Sequence, residues 1–271
     1  MFPQSPPPFR EKPSGQHVEK LFLGKKELFR GLAIEKLEKN WYVHPVFKMD
    51  FNGVVYKEKG KLTETILFYI GEWEKIYGKT PVNAPIGKRF ESLLKQAFEQ
   101  TGRAVVLIDE YDKPILDVLD TPLEDVNRDT LKAFYSTFKS ADDFLQFVLL
   151  TGVTKFSQVS VFSGFNQPDD ISMNPRFDTL CGITQEELEF NFANPITELA
   201  KKYKCTTEEM KDRLKQQYDG YHFSDELIGI YNPFSLINAF RNNRIDDYWY
   251  KTGTPPTSRC CYSTTMNSST N

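Results

Sequence analysis

Arg103-Ala104-Val105-Val106-Leu107-Ile108-Asp109-Glu110-Tyr111-Asp112 is the stretch on which the reading of this chain turns. Val105 to Ile108 form an unbroken run of branched aliphatic residues. A run of that length without polar alternation has the signature of a strand buried on both faces, as in a parallel sheet. It stops abruptly at Asp109 and Glu110, with Asp112 just beyond. In open α/β sheets, ligands sit in the crevice outside the carboxyl ends of the strands. The sequence therefore places three carboxylates where a metal–phosphate ligand would bind. A core strand followed by an acidic surface turn fits the same letters, so the flanking chain has to decide.

Upstream, Pro45 to Phe51 alternates apolar and polar residues and ends in Asn52-Gly53, which predicts a strand and a turn. Leu21 to Phe29 and Gly31 to Ile34 predict short helical elements. Thr63 to Tyr77 carries apolar residues at helical spacing (Ile66, Tyr69, Ile70, Trp73, Ile76) and stops at Gly78. Ile86 to Glu99 predicts a second amphipathic helix (Phe90, Leu93, Leu94, Ala97, Phe98), closed by Gly102. Downstream, Pro114 starts a turn, Leu131 to Phe138 reads as helix, and Phe144 to Leu150 as another buried strand ending at Thr151-Gly152. Strands alternating with helices of this length predict an α/β fold with parallel pairing.

Gly152 to Pro175 is rich in Ser, Asn, Asp and Phe without a period, and reads as a functional loop or interaction surface. From Thr184 the pattern is all helical. Thr184-Gln185-Glu186-Glu187 and Thr206-Thr207-Glu208-Glu209 are capping boxes, and Asn232-Pro233 opens a third helix. Residues 184–254 are thus expected to form a small helical lid or subdomain.

The 271 residues suffice for one large domain or two small ones. Charged residues at 26% and aromatics at 14% describe a globular chain rather than a disordered one. A formal net charge of −3 gives no electrostatic footprint for nucleic acid or an anionic membrane. No apolar run approaches a transmembrane span, and no signal-peptide core opens the chain. Cys181, Cys205, Cys260 and Cys261 form no CxxC and lie far in sequence from His17, His44 and His222. That spacing argues against a zinc site or disulfide framework and fits a reducing cytoplasm.

Seven blocks together are specific enough to name a family: KELFRGLAIEKLEKNW, HPVFKMDFNG, VVLIDEYDKPILD, FVLLTGVTKFSQVSVFSGFNQPDDIS, CGITQEELE, YDGYHFSDE and YNPFSLINAF. The chain resembles the bacterial AAA-ATPase-like family of P-loop NTPases, whose longer members carry a C-terminal nuclease-like domain of the PD-(D/E)XK type. The resemblance covers roughly residues 21 to 254. It implies a parallel-sheet P-loop NTPase-like (AAA/ASCE) core at residues 21–183, with ATP binding and Mg2+-dependent hydrolysis. The acidic strand would be a Walker-B strand. Asp109 would be the Mg2+-associated acid and Glu110 the residue that orients the attacking water. Thr151 takes the position of a γ-phosphate sensor, where an ordinary strand-ending threonine fits equally well. Lys155, in the same block, reads better as a solvated loop lysine than as a phosphate contact.

The departure from the family is as informative. Its members open with a strand and a phosphate loop of the kind RPRRFGKS, which supplies backbone N–H groups, a lysine for the phosphates and a serine for Mg2+. Gly24-Lys25-Lys26 and Gly87-Lys88-Arg89 lack the hydroxyl residue and the glycine-rich turn. Gly78-Lys79-Thr80 has the letters, but it ends a predicted helix instead of starting one. Residues 1–20, with five prolines between Pro3 and Pro13, read as a disordered leader. One permitted codon choice for Pro3 to Lys20, prefixed by two T bases and read one frame over, gives FLSRPRRFGKSLLVSTLK, the family's phosphate loop. The leader is therefore expected to be the Walker-A region out of frame. Residues 255–271, rich in Ser, Thr, Cys and Asn, are expected to be a disordered, out-of-frame tail in which Cys260 and Cys261 are incidental.

Three functional readings follow. The favoured one is an AAA-ATPase-like domain impaired in ATP turnover, with an unpaired apolar edge at Phe144 to Leu150 where the Walker-A strand would lie. The second is a non-enzymatic fragment that binds a protein partner. The third is a metal-dependent hydrolase built on Asp109, Glu110 and Asp112.

Overall fold

A computed structural model describes residues 15–153, 169–172, 174–221 and 229–248. These fall into two compact units, one up to Asp169 and the other from Asp170 onward.

In the first unit, the apolar run Val105 to Ile108 lies in β2 (Ala104–Asp109), the middle strand of a parallel sheet. It pairs with β1 (Val46–Asp50) on one side and β3 (Leu145–Leu150) on the other. Val105 to Ile108 are at most 3% exposed, as two-sided burial requires. The register sets Asp50 beside Asp109 and Ile108 beside Leu150.

One sheet face presents Phe47, Met49, Val106 and Ile108 to α3 (Lys61–Tyr77), α4 (Ile86–Thr101) and α6 (Leu123–Tyr135). Ile66, Ile70 and Trp73 of α3 and Phe90, Leu93 and Leu94 of α4 fill that interface. The predicted stripe slips by one residue at the end of α3. Ile76 is exposed, whereas Tyr77 stacks on Phe47 with ring centroids 5.0 Å apart. A step of one residue rotates a helical side chain by about 100°, and 66-70-73-77 is the continuous stripe. Phe98 likewise stays partly exposed, and its ring packs against Phe144.

The other face is covered by α1 (Gly15–Phe22), which packs against β1 and β2. This corrects the expectation of a disordered leader through Lys20. Val18, Leu21 and Phe22 share a helical face once the last proline, Pro13, is past. Phe22 stacks on Phe147 at 5.4 Å, and its carbonyl accepts the His44 amide at 2.8 Å. Glu19 reaches Lys48 of β1 at 3.1 Å. Burial raises the Glu19 pKa, but hydrogen bonds from Lys20 and Lys48 outweigh it and hold the carboxyl below its ordinary range. Between these elements run the short helices α2 (Ala33–Leu37), α5 (Lys113–Leu116) and α7 (Thr137–Ser140).

The second unit is organised by α8 (Gln185–Tyr203), α9 (Thr207–Tyr218) and α10 (Pro233–Arg241). Both predicted capping boxes form, at Thr184/Glu187 and Thr206/Glu209. The Asn232 side chain accepts the Ser235 amide, capping α10. Pro195 lies inside α8, and the helix kinks at Phe192 because a proline offers no N–H to the turn before it. Leu188, Leu199, Met210, Leu214 and Leu236 close the core.

The all-helical expectation for this unit needs correction. β4 (Asp219–Tyr221) and β5 (Ile230–Tyr231) pair antiparallel, and Ile183 bridges Tyr231. That bridge ties residues ahead of Thr184 to this unit, so the division falls earlier than residue 184. The predicted tail, most of the loop from Gly152 to Pro175, and Lys155 lie outside the described residues.

Candidate functional site

The carboxyl ends of the three parallel strands define the site. β2 ends in Asp109, and Glu110 follows with φ of 49°, a left-handed conformation in a residue with a side chain. Such strain costs about 1 kcal/mol and gathers at functional sites. The turn it makes lets the Tyr111 amide bond the Thr151 carbonyl at 2.9 Å, while the Thr151 amide bonds the Ile108 carbonyl at 2.9 Å. Thr151 is thereby clamped at the tip of β3. Its hydroxyl donates to Asp109 Oδ1, which also accepts the Glu110 amide at 3.1 Å. Asp109 and Glu110 at the tip of β2 thus meet Thr151, 42 residues away in sequence, at the tip of β3.

Asp112 does not join them as an open ligand. It is 1% exposed, and its Oδ2 accepts the Val153 amide at 3.0 Å. The expected three-carboxylate array at Asp109, Glu110 and Asp112 is corrected accordingly: Asp112 is a buried brace for the chain leaving β3. The carboxylate that sequence reasoning missed at this edge is Asp50, level with Asp109 on the neighbouring strand. The Asp50 backbone is bracketed by Tyr69, whose hydroxyl accepts its amide and donates to its carbonyl.

Burial raises the Glu110 pKa, and the negative charges of Asp109, Asp50 and Asp112 raise it further against the pull of Lys113. A folded-state pKa above the ordinary 4.5 means the fold favours the protonated form. That contribution is full below pH 4.5 and is lost as pH rises through the folded value. At neutral pH the ionised side chain is a net cost. Glu110→Gln is expected to raise the unfolding free energy at pH 7. The gain should vanish toward pH 4, as read by thermal melts across pH; a Glu110→Gln protein less stable than the parent at pH 7 would contradict this.

Gly78-Lys79-Thr80 is settled as a helix stop. Gly78 has φ of 120° and its amide bonds the Glu74 carbonyl at 3.2 Å, closing α3. Thr80 binds the Glu74 carboxylate and receives Arg89 Nε at 3.0 Å.

Asp109 Oδ1 is engaged as above, which leaves Oδ2 as the oxygen that a cation would approach. Among the described residues no group of three or more His, Cys, Asp or Glu is placed to hold a metal ion. A cleft lined by Gly15, Lys48, Leu107, Asp109 and Thr151 adjoins the strand tip. Its cavity volume is about 10 Å³, room for a single water and far below the roughly 300–1,000 Å³ of small-molecule sites. Lys48, the one cation lining it, is paired with Glu19. Among the described residues the strand tip offers carboxylates but no three-ligand metal group and no enclosed space for a triphosphate. Among them no helix is long and apolar enough to cross a membrane.

The sequence profile of a family described as predicted AAA-ATPase matches residues 16–162, more than half of the chain. The chain belongs to this AAA-ATPase-like family. The match starts inside α1, so the family segment opens a little ahead of Leu21. A relative from Azotobacter chroococcum mcd 1, described as an uncharacterized protein in the vnfD 5' region, is 37% identical over 240 residues. The alignment covers 88% of this chain and 44% of that protein, so the chain spans less than half the length of the relative. No solved structure matches.

Proposed function

We propose that this chain is an AAA-ATPase-like domain that keeps the acidic strand tip of a nucleotide hydrolase but does not turn over ATP. The observation that carries the proposal is the junction of Asp109, Glu110 and Thr151 across the adjoining tips of β2 and β3, without a phosphate cradle among the described residues. In this reading Asp109 is the magnesium acid, Glu110 is the residue that would orient water, and Thr151 senses the terminal phosphate. Phosphoryl transfer depends almost wholly on positioning and electrostatic stabilisation. Acids that attract a cation without a grip on the β- and γ-phosphates supply little of either. Phosphate release from Mg-ATP is expected at the no-protein background, with no binding of a fluorescent ATP analogue at micromolar concentration. An analogue affinity in the micromolar range, abolished by Asp109→Ala, would overturn the proposal. The cysteine usage supports a cytoplasmic setting for such a domain. One observation favours the reading of a protein-binding fragment as well: among the described residues, the apolar strand β3 is the outer strand of its sheet.

A further inference from the structure

Asn52-Gly53 makes the turn after β1, and it is the one place in the chain where glycine directly follows asparagine. Both residues are exposed. The Gly53 amide donates to Asn52 Oδ1 at 2.8 Å, so the backbone nitrogen lies against the carboxamide of the residue before it. Gly53 has φ of 74°, and apart from its chain neighbours no atom comes within 4 Å of where a β-carbon would stand. Among the described residues no carbonyl competes for the Gly53 amide, and Asn52 Nδ2 donates to nothing. Other asparagines lack this combination. The Trp41 amide after Asn40 is held by Glu38, and the Ala84 amide after Asn83 by the Pro81 carbonyl. Asn127 spends its Nδ2 on the Pro114 carbonyl, and Asn232 precedes a proline, which has no N–H.

We propose that Asn52 is a site of spontaneous covalent modification, deamidation through a succinimide formed with Gly53. The Gly53 nitrogen gives up its proton to solvent base and bonds to Asn52 Cγ. The Cγ–Nδ2 bond breaks, and Nδ2 leaves as ammonia. Water then opens the five-membered imide. Opening at Cγ gives aspartate. Opening at the Asn52 backbone carbonyl gives isoaspartate, in which the main chain runs through the former side chain and gains one methylene. Water is the only co-reactant, and nothing is oxidised or reduced. Either product adds a negative charge to an edge that already holds Asp50 and, beside it, Asp109. The new carboxylate arises on the residue whose amide Asp50 Oδ1 accepts at 2.8 Å. Isoaspartate also lengthens the link between β1 and Tyr56, whose amide is tied to Asp117 and whose hydroxyl donates to the Phe51 carbonyl. The inference does not depend on the nucleotide reading.

Ageing the folded full chain at mildly alkaline pH, beside the free peptide of residues 49–57 and the Asn52→Gln protein, tests it. Tryptic mapping of the parent is expected to show a gain of about 1 Da in fragment 49–57, split between two chromatographic peaks, one of them a substrate for an isoaspartyl methyltransferase. The rate should climb with pH, because the attacking nitrogen must first lose its proton. It should lie within about tenfold of the free peptide's rate, since the folded turn already holds nucleophile and carbonyl together. Asn52→Gln alters an exposed side chain and would need a six-membered imide. It should slow the conversion at least about tenfold and leave the melting temperature unchanged. A parent fragment that keeps its mass while the free peptide converts overturns the proposal. So does an Asn52→Gln protein that gains mass in that fragment as fast as the parent, or a gain confined to other fragments.

Discussion

Replacing Glu74 with alanine is expected to lower the unfolding free energy by about 3–5 kcal/mol, a large part of the roughly 5–15 kcal/mol that holds a domain together. Glu74 sits on the last turn of α3 with a side chain 6% exposed, against Arg89 of α4 at 11%. Their closest atoms are 2.7 Å apart. Thr80 adds its hydroxyl and, at 3.3 Å, its amide to the same carboxylate oxygen, and Arg89 Nε bonds back to Thr80. Lys79 approaches the second oxygen at 3.6 Å, but it is mostly exposed and contributes little.

The cost of the substitution is not the worth of the ion pair. Removing Glu74 leaves the Arg89 guanidinium buried and uncompensated, which is the expensive outcome. Burial by itself raises the Glu74 pKa, but bonds from Arg89 and Thr80 outweigh it and bring the value down to about 2. A depressed carboxylate contributes stability above its unfolded pKa, near 4.5, and loses it as pH falls toward 2. The gap between parent and Glu74→Ala, measured by denaturant unfolding, should therefore be full at pH 6 and shrink steadily below pH 4.5. A gap under about 1 kcal/mol at pH 6 would show that the cluster is solvated and weak.

That cluster also marks the reach of sequence reasoning. Gly78-Lys79-Thr80 was legible as a helix stop because Gly78 ends an apolar period and Pro81 follows. The tie from Thr80 to Glu74 and Arg89 was not, since a charged residue on a helix gives no local sign of facing a partner on the next helix. The parallel sheet was legible because Val105 to Ile108 lack polar alternation and helices flank them. The register was not. A crossover helix fixes neither how far β1 slides along β2 nor, therefore, that Asp50 stops level with Asp109. β4 and β5 are too short for a period-two pattern to form.

Asp109 and Glu110 announced themselves by ending the apolar run, and Thr151 by ending the next one. Asp112 misled for a definite reason. The left-handed backbone at Glu110 reverses the chain within one residue, so that an acid three places after Asp109 points inward. The residue at a left-handed turn is most often glycine or asparagine, and glutamate there carries no such signal.

The same inward turn makes Gly152 the most exacting position at the site. A β-carbon at residue 152 would lie 2.6 Å from Asp112 Oδ1 and 2.6 Å from Tyr111 Cε1. Neither neighbour can swing into solvent, since Asp112 is 1% and Tyr111 4% exposed. Gly152→Ala is therefore expected to cost about 2 kcal/mol through overpacking. The strain should appear where the chain has least room to shift. Moving residue 152 outward draws the Val153 amide from Asp112 Oδ2 and drags the Thr151 hydroxyl off Asp109. Amide exchange at Thr151 and Val153 should then quicken by more than the global loss of stability explains. A double-mutant cycle separates space from chemistry. Removing the obstructing carboxylate with Asp112→Ala should shrink the cost of Gly152→Ala, giving a coupling on the order of 1 kcal/mol. Strict additivity of the two substitutions, or a Gly152→Ala protein as stable as the parent, would mean that the brace is slack. The junction of Asp109 and Thr151 would then owe its geometry to the strand pairing alone.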